Sequence, residues 1–167
     1  MVTLRVVEAL GPAEIDDLAD LLVAVVAEGA SVGFLPPLAR TEAVEYWSGA
    51  RASGGVLLLA EEAGRIVGTV QLRPAESANG RHRAEVAKLL VHPDHRRRGI
   101  GRSLMEGIEA EARRDGRTLL MLDTREGDAA NGLYHALGYR EVGRVPRYAR
   151  AANGRLEATV FYYKELV

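Results

Sequence analysis

The order and periodicity of the apolar segments predict an α/β protein: a mixed, mostly antiparallel sheet with helices on both faces and one parallel strand pair near its centre. Three observations carry this reading. Two β-rich runs, residues 56–61 and 65–73, are joined by Glu62-Ala63-Gly64, a hairpin signal. A β-rich run over 82–91 is followed by an amphipathic helical stretch and then by a further β-rich run at 118–123. That order is a β-α-β crossover, which makes its two strands parallel neighbours. Finally, 167 residues, 47% of them apolar, suffice for one core and are cramped for two. Residues 1–167 are therefore expected to form a single domain.

Taken in order, residues 2–7 alternate weakly and are β-rich, a first strand. Gly11-Pro12 breaks it, and a helix is expected over 13–28 with Glu14, Asp16 and Asp17 in its first turn, where the helix dipole favours acids. Gly29 to Leu38 reads as a loop carrying Phe34 and two prolines. Thr41 is placed to cap a second helix containing Tyr46 and Trp47, with Ser53-Gly54-Gly55 ending it. After the hairpin, Ser77-Ala78-Asn79-Gly80 turns the chain into the strand at 82–91, which Pro93 stops. From Gly99 to Asp115, Ile100, Leu104, Ile108 and Ala112 recur every four residues on one helical face. The strand at 118–123 follows, then a helix over 128–137 with Ala130, Leu133, Tyr134 and Leu137 on one stripe. Runs at 139–145 and 156–164 close the chain around Asn153-Gly154.

Composition removes several classes of function. Twenty-two basic and 23 acidic residues leave a net charge of −1, so there is no global basic field for nucleic acid or anionic membrane. The absence of cysteine removes disulfides, a thiolate nucleophile and Cys-based zinc sites. His92 and His95 lie on a loop without a third ligand nearby, so no metal is expected. The longest apolar run, Leu21 to Ala27, is far short of the roughly 20 residues of a spanning helix. Glu8 interrupts the N-terminus before a signal-peptide core can form. A cytoplasmic location is expected, and the sequence leaves a homodimer open. Lysine is scarce, with only Lys88 and Lys164 among 20 arginines.

The most informative stretch runs from Val91 to Ser103, where a strand ends, an arginine- and glycine-containing turn follows, and a helix begins. Backbone N–H groups at a helix start, with glycines permitting close approach, form an anion site. Four arginines against one aspartate in 93–102 add about three positive charges, enough for a pyrophosphate. A Walker A loop is excluded because Gly101-Arg102-Ser103 lacks the lysine and the upstream glycine. A dinucleotide fingerprint is excluded because Leu104 stands where its third glycine belongs. The alternative is a surface loop that is merely rich in arginine.

The pattern Arg96-x-x-Gly99-x-Gly101, after Leu89-Leu90-Val91 and before a helix, resembles the acetyl-CoA signature of the GCN5-related N-acetyltransferase (GNAT) family. The order of elements resembles that fold over nearly the whole chain, and Ala130-x3-Tyr134-x3-Gly138-Tyr139 adds to the likeness. Gly29-Ala30-Ser31-Val32-Gly33-Phe34, His82-Arg83-Ala84-Glu85-Val86, Leu122-Asp123-Thr124 and the tail from Tyr139 to Lys164 resemble its tabtoxin-resistance branch.

The resemblance implies acetyl-CoA as co-substrate, in a slot opened where the parallel pair is splayed. The pyrophosphate would lie on Arg96, Arg97, Arg98, Gly99, Ile100, Gly101, Arg102 and Ser103, and the pantetheine arm along Leu89, Leu90 and Val91. One N–H, of Leu90 or Val91, would polarise the thioester carbonyl. The family asparagine seven residues before the tyrosine is replaced by Gly127, and Asn131 would take over its contact.

Glu85 shares strand parity with Ala87, Leu89 and Val91. It is either the general base or amine-binding group, or an edge carboxylate paired with Arg83 or another arginine. Asp123 either binds the ammonium group or shares the base role, or caps a helix or a turn. The resemblance implies that Tyr134 protonates the leaving thiolate; the alternative is a core residue of its helix stripe. Ser31, Phe34, Trp47 and His82, with Tyr46 and Tyr148, would shape the acceptor pocket.

Transfer of acetyl to a primary amine of a small, amino-acid- or dipeptide-like molecule by direct attack is the implied activity. A toxin or antimetabolite acceptor would make it an antibiotic-resistance or detoxifying enzyme. The alternative is a non-catalytic acyl-CoA-binding module, which needs the phosphate loop but neither acid nor base.

Overall fold

A computed structural model of the chain describes residues 1–50 and 55–167. Its elements are β1 (Thr3–Val7), α1 (Pro12–Ala27), α2 (Arg40–Ser48), β2 (Val56–Glu62), β3 (Arg65–Pro74), β4 (Arg83–Val91), α3 (Ile100–Arg114), β5 (Leu119–Arg125), α4 (Ala130–Ala136), β6 (Arg140–Arg150) and β7 (Leu156–Glu165). The order matches the sequence expectation, and boundaries move by a few residues. Thr41 lies inside α2, whose cap is Ala39. The helix stop read at Ser53-Gly54-Gly55 falls, apart from Gly55, outside the described residues. At α1, Gly11 rather than an acid sits at the cap, and its N–H donates to Glu14 Oε2 at 2.7 Å. Glu14 is thereby held below the usual carboxylate range, first by this bond and then by Arg5.

The seven strands form one sheet in the order β1-β2-β3-β4-β5-β7-β6, and all neighbours but β4 and β5 are antiparallel. α1 and α2 cover one face with Leu18, Leu22, Val26 and Trp47 against Leu57, Leu59 and Leu90. α3 and α4 cover the other, with Leu104, Ile108 and Tyr134 against Val70, Leu72, Val86 and Leu120.

β4 carries the irregularity that shapes the rest. Against β3 its register runs from Gln71↔Ala87 to Thr69↔Leu90, so Lys88 and Leu89 together oppose Val70. This is a β-bulge, and Lys88 sits in it with φ +53°. A bulge inverts strand parity. Ala84 and Val86 face α3 and α4 before it, and Leu89 and Val91 do so after it. The side chain of Leu90 lies on the α1 face. Glu85 and Ala87 therefore share a face with Leu90, which corrects the alternation expected of them.

The parallel pairing of β4 with β5 is short and ends just ahead of the bulge. It covers only Arg83↔Leu119, Ala84↔Leu120 and Glu85↔Met121, although both strands continue. The expected splay is present and begins after Glu85.

The strand expected at 139–145 extends to Arg150, because β6 passes Pro146 and Arg147 (φ +54°) through a second irregularity between Val145 and Ala149. As the outer strand it is exposed along most of its length. At the base, the Lys164 ammonium donates to both oxygens of buried Glu109 (2.9 and 2.7 Å) and to the Leu137 carbonyl (2.7 Å). This ties β7 to α3 and to the end of α4.

The start of α3 is pressed close to β3 at Gly68. A Cβ there would lie 3.0 Å from Leu104 Cδ1, 3.0 Å from the Leu90 carbonyl and 3.2 Å from Ile100 Cγ2. Gly68→Ala is expected to destabilise the fold by about 1–3 kcal/mol, the range of overpacked cores, in urea unfolding. An unchanged midpoint would show that α3 has room to retreat.

Candidate active site

Where β4 and β5 part, a cavity of about 540 Å³ opens. Its walls come from the loop after α1 (Ser31, Gly33), from β3 and β4 (Arg73, Glu85, Lys88, Leu89), and from β5, α4 and the last hairpin (Asp123, Tyr134, Tyr148). The three residues proposed from the sequence as acid or base thus line one space. Arg96, the first residue of the glycine-containing turn, lines it too.

Glu85 is exposed to the cavity and makes no ion pair among the described residues, although its cross-strand neighbour is Arg73. The expected alternative of an edge ion pair is not what the structure contains. Asp123 lies within β5, where Thr159 Oγ1 donates to its Oδ2 at 3.2 Å. It does not cap α4, whose first residue follows Ala129 without a side-chain cap.

Tyr134 is buried on α4, its ring 5.8 Å from those of Tyr139 and Tyr162. Gly138 (φ +84°) lets the chain turn so that Tyr139 N–H donates to the Tyr134 carbonyl and Gly138 N–H to that of His135. This Schellman closure fixes the tyrosine on a helix of only seven residues. Burial, and then the neighbouring Asp123 charge, push the Tyr134 hydroxyl well above the ordinary tyrosine range. Tyr134 therefore keeps its proton throughout the neutral range.

The turn leading to α3 has the features of an anion cradle. The first backbone bond of the helix runs from Ser103 N–H to the Gly99 carbonyl (3.0 Å), which leaves the N–H groups of Ile100, Gly101 and Arg102 without intrahelical partners. Gly99 caps the helix at φ +80° with no side chain above these groups. The expected surplus of three positive charges is smaller in the fold. Arg96 bonds Glu28 (2.6 Å), Arg98 grips both oxygens of Glu62 (2.9 and 2.6 Å), and Arg102 pairs with Glu106. Backbone dipoles rather than net arginine charge dominate this site, and Arg97 is the loop arginine with no ion pair among the described residues.

On β4, His92 N–H donates to the Val67 carbonyl of β3 at 2.8 Å. Alternate N–H groups of an antiparallel strand point to opposite sides. Leu90 N–H thus points toward β3, and Val91 N–H toward the gap left by β5. Of the two donors considered from sequence, Val91 is the free one.

Several proposed pocket residues are placed elsewhere. Trp47 is 1% exposed in the core between α1, α2 and the sheet, so it supports Tyr46 (rings 5.0 Å apart) and does not reach the cavity. His82 is exposed just before β4, beyond the paired end of β4 and β5, and does not line the cavity. Phe34 packs edge-on against Tyr46 at 5.4 Å and lines an adjoining cavity of about 230 Å³. The Asn131 amide is engaged within the protein. Its Nδ2 donates to the carbonyls of Arg125 and Asp128, and its Oδ1 accepts from Tyr162.

Among the cavity residues that the sequence reading does not include are Arg73 and Lys88. Arg73 donates to the Tyr46 hydroxyl (3.0 Å) and to Gln71 Oε1. The one available signal was that a lysine interrupts an apolar strand in a chain otherwise built with arginine.

Residues 25–139 match the family described as Acetyltransferase (GNAT) family. The chain is 32% identical, over 75% of its own length and 76% of the other's, to an uncharacterized N-acetyltransferase from the hisH-hisA intergenic region of Azospirillum brasilense. It is 30% identical to the L-methionine sulfoximine/L-methionine sulfone acetyltransferase of Salmonella typhimurium, over 56% of each chain. Among solved structures, YncA from Salmonella typhimurium, determined with its cofactor acetyl-CoA, superposes with a TM-score of 0.83 at 22% identity. That match covers 100% of this chain and 95% of YncA. Among the described residues no helix is long and apolar enough to cross a membrane, and no metal-binding group of side chains occurs.

The raised Tyr134 hydroxyl has a spectroscopic consequence. Absorbance titration of wild type and Tyr134→Phe is expected to show the same tyrosinate signal up to about pH 11, because only the less buried tyrosines ionise there. A smaller signal in the variant below that pH would mean that the Tyr134 ring is solvated.

Proposed function

The chain belongs to the GNAT family and is an acetyl-CoA-dependent N-acetyltransferase, and from that premise we propose that it acetylates the primary amine of a small, amino-acid- or dipeptide-like molecule. The observation that carries this reading is the convergence of Glu85, Asp123 and Tyr134 on one cavity at the divergence of β4 and β5. An acyl-CoA sensor has no use for that trio. The Salmonella relative named for methionine sulfoximine and methionine sulfone supports an amino-acid-like acceptor, and such an acceptor fits a detoxifying or resistance role in the cytoplasm.

Acetyl-CoA, when bound, supplies the acyl thioester. The N–H groups of Ile100, Gly101 and Arg102 hold its pyrophosphate, and Leu89 to Val91 run beside its arm, with Val91 N–H donating to the thioester carbonyl. Asp123 and Glu85 receive the acceptor's ammonium group. Glu85 takes one of its protons, directly or through a water, which frees the lone pair. The amine nitrogen bonds to the acyl carbon and the C–S bond breaks. Tyr134, kept protonated by its burial, donates to the departing sulfur as negative charge builds there. The second proton leaves the nitrogen once the amide bond has formed and restores the Tyr134 hydroxyl, while the proton on Glu85 passes to solvent. The acyl group goes straight from sulfur to nitrogen, without a covalent enzyme intermediate.

A screen of amines following CoA release, with a no-acceptor control, tests the activity. With a verified acceptor, Tyr134→Phe is expected to lower turnover roughly a hundredfold with little change in thermal stability. Full activity would return Tyr134 to a purely packing role.

Glu85→Gln is expected to retain acetyl-CoA affinity, to slow turnover and to alter the acidic limb of the pH–rate profile, and the double variant with Asp123→Asn should be slower than either single one. Wild-type rates and profiles in all three would leave an amine deprotonated in solution as the simpler mechanism.

A further inference from the structure

The bulge of β4 delivers a lysine into the acceptor side of the cavity. Lys88 adopts φ +53°, a conformation disfavoured for any residue with a Cβ, and a bulge re-aims the side chain it carries. Its ammonium lies 5.9 Å from the Phe34 ring centroid and 5.6 Å from that of Tyr46. It is also close against the loop after α1, since a Cβ on Gly33 would come within 3.4 Å of Nζ. The second cation, Arg73, stands on the same wall, its guanidinium fixed by Tyr46 and Gln71.

Neither cation has a carboxylate partner among the described residues. The other lysine of the chain, Lys164, is by contrast bonded to both oxygens of buried Glu109. Glu85 and Asp123 line the same cavity and are charged neighbours of Lys88, yet neither forms an ion pair with it. Two like charges held together in a half-buried cleft, one of them over aromatic rings, are a poor arrangement unless an anion completes it. Burial lowers the Lys88 pKa most and Arg73 adds to it, and together they outweigh Glu85 and Asp123, whose charges act the other way.

We propose that Lys88 and Arg73 form the carboxylate subsite of the acceptor, so that the enzyme selects molecules carrying an anionic group close to the amine that is acetylated. This inference rests on the acetyltransfer reading above and adds its specificity. The cavity then has two poles. Glu85 and Asp123 take the ammonium end of a zwitterion, while Lys88 and Arg73 take its carboxylate end. Simple alkylamines and carboxamides, which leave both cations uncompensated, are rejected on the same ground that sites built for a polar group reject analogues lacking it.

The test compares each common L-amino acid with its carboxamide as acceptor, using wild type, Lys88→Met and Lys88→Arg. Met keeps the stem and its contact with the rings but removes the charge. The carboxamide amine is less basic and more of it is free at neutral pH, so a preference for the acid runs against intrinsic reactivity. Wild type is expected to favour the acid by about tenfold or more in kcat/KM, the effect of one charge-assisted bond. Lys88→Met should raise KM for the acid by a similar factor and leave that for the carboxamide and for acetyl-CoA nearly unchanged, with Lys88→Arg in between.

Equal use of acid and carboxamide by wild type overturns the proposal, as does a loss in Lys88→Met that falls on both alike. If no amine of either kind is acetylated, the acetyltransfer reading of the acceptor fails separately. The subsite is then read by thermal shift with the same L-amino acids. Stabilisation of wild type but not of Lys88→Met is expected, and no stabilisation of either overturns it.

Discussion

One irregularity in one strand organises this molecule. In β4, two residues stand opposite a single residue of β3, and the parallel partnership with β5 ends just ahead of them, at Glu85. Regular pairing would close the sheet and place a ladder of hydrogen bonds where the cavity now lies. The bulge lies where the slot opens, leaves Val91 N–H pointing into it and carries Lys88 toward the rings of Phe34 and Tyr46. Left-handed backbone at a lysine costs on the order of 1–3 kcal/mol, and the surrounding core holds it in place. Gly68 and the packing of Ile100 and Leu104 then set the start of α3 beside the slot, so the anion cradle and the opening are positioned by the same contacts.

Most of the framework was legible in the sequence because it is written in periodicity. The four-residue spacing from Ile100 to Ala112 and the hairpin at Glu62-Ala63-Gly64 each translate directly into a buried helix face and a turn. The β-α-β crossover likewise became the parallel pair. Glu85 and Tyr134 are legible through the family resemblance and Asp123 through its place at the end of a parallel strand, and the three converge on one cavity.

What periodicity could not convey is the effect of an inserted residue. A bulge leaves no mark in a strand of alternating polarity, so Glu85 was assigned to a face with Leu89 and Val91 that it does not share. The sequence reading places Trp47 in the acceptor pocket, and packing places it in the core instead. The charge of the loop was overstated for a similar reason. Its partners, Glu28 and Glu62, are far away in sequence and reach Arg96 and Arg98 only through the fold.

The outer strand β6 has a consequence for how the protein behaves in a crowded solution. It bears Val142, Val145 and Tyr148 at 61%, 42% and 52% exposure, which on a flat edge would invite a strand from another molecule. Pro146 withholds an N–H from any such pairing, Arg147 kinks the backbone at φ +54°, and the ladder to β7 is interrupted between Val145 and Ala149. Arg140, Arg144, Arg147 and Arg150 add like charges along the same rim. The feature that lets this hairpin carry Tyr148 to the mouth of the cavity also makes it a poor template for amyloid-like growth.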